Sequence, residues 1–322
     1  MFNEVEVLPI EESVIQAWQE KAVPLYDLFF FTTIDEVKEY MPENILVIPR
    51  DEFNHHNVYQ TIDTINSYEM WKISRKAKYV CVTPEELFPT IDRHTRTLLL
   101  NIQHELGRGL IYEWEILEPV LKNQPLQLQE EVWEIIESYI IQQDKPYIVF
   151  QRNMWTMLPY SFKRDILIKV AKLYSDKLNK IEGEVQEVLE QYPQLNKYMN
   201  RFSKNHGPNC LAAVLAAATE NSQVCDWIIN QWVHPETFKL GLDLRGYKEV
   251  NSPLDELERK DILIWQDEHD NINHATFHLG NRWFFNKNGQ SFFNGWQILA
   301  EEQLYKNWRK ENIRVYRWNK SS

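Results

Sequence analysis

Glycine is scarce, with nine residues in a chain of 322. That shortage argues against a repeat of glycine turns and against a Gly-rich phosphate loop, and no dinucleotide fingerprint follows any strand-like run. Cysteine is equally scarce. Cys81, Cys210 and Cys225 cannot all pair within the chain, so a reducing compartment is the simplest reading. Long apolar runs are missing: the best candidate, 211–218, falls far short of the ~18 residues a membrane span needs. The opening MFNEVEVLPIEES has no basic region, no apolar stretch and no small-residue cleavage site, so no secretory signal is expected. Positive charge is the last deficit. Lys plus Arg is 35 against 47 Asp plus Glu, a net charge of −12. Duplex nucleic acid and anionic membranes both select basic surfaces, so neither is expected as a partner. These absences together predict a cytoplasmic protein.

What the chain does have is aromatic bulk: 12 Trp, 15 Tyr and 15 Phe. A chain of this length buries about three quarters of its extended surface, enough for a core without disulfides or a structural metal. Residues 1–200 read as mixed α/β of unknown role. Helical spacing appears at 11–21 and 130–142, and short β-branched or aromatic runs at 25–31, 45–48, 79–82 and 147–151. Ile166, Val170, Tyr174, Leu178, Ile181, Val185, Val188 and Tyr192 then recur every three or four residues. That stripe predicts a long amphipathic helix over 162–192, or two helices broken near Gly183. A domain boundary is placed near residue 200, where a polar stretch and Gly207-Pro208-Asn209 break the chain.

The chemistry concentrates after that break. Pro208 cannot sit inside a helix and Asn209 is a good N-cap, so Cys210 is expected as the first residue of an apolar, Ala-rich, buried helix. A thiol there meets the positive end of the helix dipole, which lowers its pKa, and free N–H groups that can hold an oxyanion. A nucleophilic cysteine needs a base. Residues 261–265 and 272–279 read as strands, and in the second His274, Thr276 and His278 alternate with Ala275, Phe277 and Leu279. Gly280-Asn281 signals a hairpin, and 283–286 returns antiparallel, bringing Asn286 beside the histidine strand. The run 313–318 reads as an edge strand. A zinc site on His269, His274 and His278 is the rival reading. It fails on reach, because four strand residues span ~13 Å and zinc ligands sit at ~2 Å. No metal and no cofactor is expected.

The series Asn209-Cys210-Leu-Ala, Asp261-Ile-Leu-Ile-Trp, His274-Ala-Thr-Phe-His-Leu-Gly280 and Asn281-Arg-Trp-Phe-Phe-Asn286 resembles the NlpC/P60 group of the papain-like cysteine hydrolase superfamily. The resemblance covers residues 205–318, about a third of the chain. It implies an α+β fold in which the Cys-bearing helix packs on an antiparallel sheet over 201–322. It further implies Cys210 as nucleophile, His274 as general base and acid, and Asn286 as orienter of the imidazole, with Asn209 at the oxyanion hole. His206 and His278 are candidate substrate contacts beside that cleft. The implied activity is a cysteine peptidase or amidase acting through a thioester, with peptidoglycan-type peptides as the family's usual substrates. The alternatives are a binding or regulatory module without turnover and a Cys-dependent acyl or amine transferase. The first two hundred residues are expected to control access, contact substrate or dock a protein partner.

Overall fold

The computed structural model describes residues 10–174 and 183–319. The chain is an α+β protein with antiparallel sheets. It divides into two compact units, Ile15–Val170 and the chain from Ala171 onward together with the described residues up to Val14. The division therefore falls about thirty residues before the expected boundary at 200. Val185, Val188, Leu189, Tyr192, Leu195 and Met199 pack into the same core as the Cys210 helix, which ties that stretch to the C-terminal unit. The predicted helix over 162–192 appears as Tyr160–Tyr174 and Glu184–Leu189, the second beginning after Gly183 at φ +55°. The stretch that carries Leu178 and Ile181 lies outside the described residues.

In the first unit, β1 (Asp27–Phe31), β2 (Leu46–Pro49) and β3 (Tyr79–Thr83) form a sheet in the order β1-β3-β2. A second sheet runs β4-β6-β5 from β4 (Ile111–Glu113), β5 (Ile140–Gln142) and β6 (Pro146–Val149). Helical spacing over 130–142 holds only as far as Ile136, and the chain then tightens and extends into β5. A fully buried Asp27 anchors this unit. It accepts the N–H of Arg152 at 2.9 Å, and Arg108 lies close by, its guanidinium over the Tyr68 ring and donating to the Phe150 carbonyl at 2.6 Å. Burial pushes the Asp27 carboxyl up to about 6 despite both cations.

The second unit is built on six strands: β7 (Tyr247–Val250), β8 (Ile262–Gln266), β9 (Ile272–Gly280), β10 (Trp283–Lys287), β11 (Trp296–Ala300) and β12 (Ile313–Trp318). Their order is β11-β10-β9-β8-β12-β7, antiparallel throughout. The run 313–318 is thus an interior strand and not the expected edge, because Tyr247–Val250 pairs outside it. The β9–β10 hairpin turns through Asn281 and Arg282 at φ +49° and +62°, the pair of left-handed residues that a two-residue turn matched to strand twist requires. Alternation sorts the two faces. Ile262, Ile264, Ala275, Phe277, Leu279 and Phe285 join the Cys210 helix in one core. Leu263, Trp265, Phe284, Leu299 and Val315 form a second core beneath Leu304 and Trp308. At the start of β8, buried Asp261 accepts two bonds from Arg317 of β12, at 2.9 and 2.7 Å. Among the described residues no helix is long and apolar enough to cross a membrane.

Candidate active site

The Cys210 helix spans Cys210–Ala217, and all eight of its residues are buried. Its alanines leave room for the sheet to approach closely. Asn209 is the N-cap: its Oδ1 accepts the Ala212 N–H at 3.0 Å and its Nδ2 donates to the Val233 carbonyl at 2.7 Å. The Asn209 side chain thus fixes where the helix starts, and the expected oxyanion donors are the backbone N–H groups at this start. Cys210 follows at the first helical position. Its sulfur is within reach of the N–H groups of Ala275, Leu211 and Cys210 itself, all of which favour the thiolate. The charge of Lys287 acts in the same direction. Burial outweighs them and holds the thiol above its ordinary value. The depressed thiol pKa expected from the helix dipole is therefore not what the fold produces, because the helix start is enclosed.

His274 precedes Ala275 on β9, so alternation turns its side chain to the sheet face of Trp265 and Trp308, opposite Ala275, whose amide reaches the Cys210 sulfur. The His274 ring lies parallel to that of Trp308, with centroids 3.9 Å apart, and Trp265 closes another side at 5.4 Å. Its Nε2 is 2.8 Å from Asn286 Oδ1. The direction of that bond is fixed from its far end. Trp308 Nε1 can only donate, and it meets Asn288 Oδ1 at 3.1 Å. Asn286 Nδ2 donates to the same Asn288 oxygen at 2.9 Å. Asn286 therefore presents its oxygen to His274, and Nε2 must carry the proton. That leaves the lone pair on Nδ1, so the imidazole is set as a base. Burial drives its pKa down to about 3, and it is neutral at any ordinary pH.

The remaining candidates serve elsewhere. His278 Nδ1 donates to the Glu258 carbonyl at 2.7 Å, and its ring packs on Phe284. It braces the segment leading into β8 and is not beside Cys210. His206, a candidate substrate contact, is buried. It stacks on Phe292 at 3.8 Å and accepts the Phe292 N–H at 3.3 Å. Trp265 and Trp296 are core residues. Cys225 is buried on Ser222–Ile228 and is 3.7 Å from the Gln194 carbonyl; all three cysteines are free thiols. Among the described residues no three His, Cys, Asp or Glu stand together as a metal-ligand group.

Sequence reasoning missed Lys287. It follows Asn286 on β10 but points to the other face, fully buried, with Nζ donating to the carbonyls of Ser291 at 3.0 Å and Asn294 at 2.5 Å. Burial lowers its pKa to about 7, against the favourable influence of Cys210. The one available signal was alternation. Phe285 reads inward from the hairpin, and Lys287 shares its parity.

Comparison of the chain with family models, with curated proteins and with solved structures returns no match.

Proposed function

We propose that the C-terminal unit is a papain-like module of NlpC/P60 type that cleaves an amide bond through a thioester on Cys210, with peptides of the peptidoglycan type as its substrate class. The observation that carries this reading is the hydrogen-bonded chain from Trp308 through Asn288 and Asn286. It leaves His274 with a basic Nδ1 beside Ala275, whose amide reaches the Cys210 sulfur; the reading requires that Nδ1 meet the sulfur past β9, since the His274 ring and the Cys210 helix lie on opposite faces of the sheet. The thiol is protonated at rest and the imidazole neutral, so proton transfer accompanies attack and does not precede it. Sulfur bonds to the carbonyl carbon as its proton passes to His274 Nδ1. The imidazolium then gives that proton to the departing amine nitrogen as the C–N bond breaks. Water resolves the thioester to acid and free thiol. The helix-start N–H groups support the negative charge that develops on sulfur and oxygen.

A second reading, a binding module without turnover, is favoured by the burial of Cys210, which is 8% exposed. Acylation by p-nitrophenyl acetate separates the two, followed as p-nitrophenol release and by peptide mass mapping. The first reading expects acetyl on Cys210 well ahead of Cys81 and Cys225, with a fall of at least ~100-fold in His274→Ala, the usual scale of a lost general base. Equal acylation of the three thiols, or indifference to His274→Ala, overturns it in favour of the module. An added amine that captures the acyl group as an amide in place of acid makes the reaction a transfer.

A further inference from the structure

Lys287 has no part in the chemistry just described, yet its placement is specific. It is a fully buried lysine at the end of an interior strand, on the face that carries the Cys210 helix. Phe285, two residues earlier, pairs with Phe277 and shares a core with Cys210. Continuing that register sets Lys287 across from Ala275, whose amide reaches the Cys210 sulfur. The Trp296 ring lies 5.7 Å from Nζ, and the Ser291 and Asn294 carbonyls fix the amino group. Two carbonyls satisfy two of the three ammonium protons but supply no counter-charge. An uncompensated buried ammonium is expensive, which calls for an anion nearby.

Among the described residues the surroundings offer one candidate anion. The Cys210 helix has no charged residue. On β9 the nearest titratable group is His274, which is held neutral. The segment before the helix brings His206, engaged with Phe292. On the adjoining helix, Asp226 is already paired with Lys197 and bonded to Tyr198. Lys287, across from Ala275 in the continued register, and the Cys210 sulfur, at the Ala275 amide, meet at one position of the sheet, so the charge of each favours that of the other.

We propose that Lys287 is the counter-charge of Cys210, a positioning residue that stabilises the thiolate as it forms. This rests on Cys210 acting as the nucleophile. Buried charges of opposite sign lower each other's cost, so ionisation of the thiol and protonation of the amine are linked reciprocally. The division of labour is then distinct: His274 receives the thiol proton, and Lys287 holds the charge left behind. Carbonyl tethers from 291 and 294 keep the amine in place whichever form it is in, since a neutral amine still has two protons to donate.

The test is the pH profile of Cys210 alkylation by iodoacetamide, read site by site with Cys81 and Cys225 as internal references. In Lys287→Met the Cys210 midpoint moves up and its rate at pH 8 falls at least ~10-fold, while the two reference thiols keep their rates. Should Lys287→Met fail to fold, the reciprocal measurement decides: the 13Cε shift of Lys287 is titrated in wild type and in Cys210→Ala, where the amine midpoint is expected to move down. Unmoved profiles in a folded Lys287→Met, or an unmoved lysine midpoint in Cys210→Ala, overturn the pairing. Alkylation reports ionisation and not turnover. A shifted profile without acylation by the ester therefore upholds the pairing and sinks the hydrolase reading, and acylation with an unshifted profile does the reverse.

Discussion

Asn286→Ala removes the acceptor that pins the His274 tautomer, and the outcome follows from three bonds. In the native unit Nε2–H meets Asn286 Oδ1 at 2.8 Å, and both side chains are buried. Without Asn286 the buried N–H has no acceptor, while Asn288 keeps its bond from Trp308. A buried donor left unsatisfied costs about 1–3 kcal/mol. A loss of about 2 kcal/mol lowers the Tm of a unit this size by roughly 4–8 °C. The same energy favours one tautomer over the other by roughly 30-fold, since 1.4 kcal/mol is a factor of about ten. Long-range 1H–15N spectra report which ring nitrogen carries the proton. Wild type is expected to show the proton on Nε2, and Asn286→Ala a mixture of both forms. Asn286→Asp is expected to restore Nε2–H and to raise the imidazole pKa, because a carboxylate accepts the bond and adds negative charge. A proton on Nδ1 in wild type, or an undisturbed Nε2–H in Asn286→Ala, would refute the chain from Trp308 to His274 and remove the main support for a base at this position.

Two further outcomes follow from the fold. His274 is neutral in the folded state down to about pH 3 but takes up a proton near 6.5 when unfolded, so the unfolded chain binds more protons as pH falls and the C-terminal unit weakens between pH 6.5 and 3. The slope approaches 1.4 kcal/mol per pH unit in magnitude at about pH 4–5, and urea unfolding of His274→Gln should show it removed; an unchanged slope means the imidazole is not the group responsible. At the hairpin, Arg282→Gly should gain up to ~1 kcal/mol, because glycine takes a positive φ without the steric cost that an arginine bears at +62°, offset by the chain entropy of glycine. A chemical melt showing destabilisation would mean that the Arg282–Glu301 ion pair, with Arg282 74% exposed, outweighs the backbone.

The parts of the site that sequence exposed are those whose signals are local. A Pro-Asn break before an Ala-rich run fixes a helix start within one residue, so Asn209 and Cys210 fall where that break demands. Strict alternation in β9 and the turn at Asn281 fix the register that brings Asn286 to His274. What stayed hidden depends on contacts distant in sequence. Tyr-Lys-Glu-Val at 247–250 is half charged and carries no strand signal of its own, yet β12 recruits it as a strand. Asn288 and Trp308 acquire meaning only once they meet across twenty residues. The thiol pKa depends on how deeply the helix start is enclosed, which no local pattern encodes, and His206 and His278 were drawn toward the site by proximity in sequence while the fold spends each on a backbone group. Lys287 was overlooked because a lysine near a turn suggests solvent.

The position of β12 has a consequence for biosynthesis. Ribosomes deliver β7 through β11 first, yet in the finished sheet β7 has a single neighbour, and it is the strand made last of the six. Until that strand emerges, β8 presents a bare edge of hydrogen-bonding groups to other nascent chains, and β7 has nothing to join. The Arg317–Asp261 clasp closes only when that strand is in place, so a chain that stops upstream of residue 313 lacks the clasp and leaves the β8 edge open to pairing with other chains.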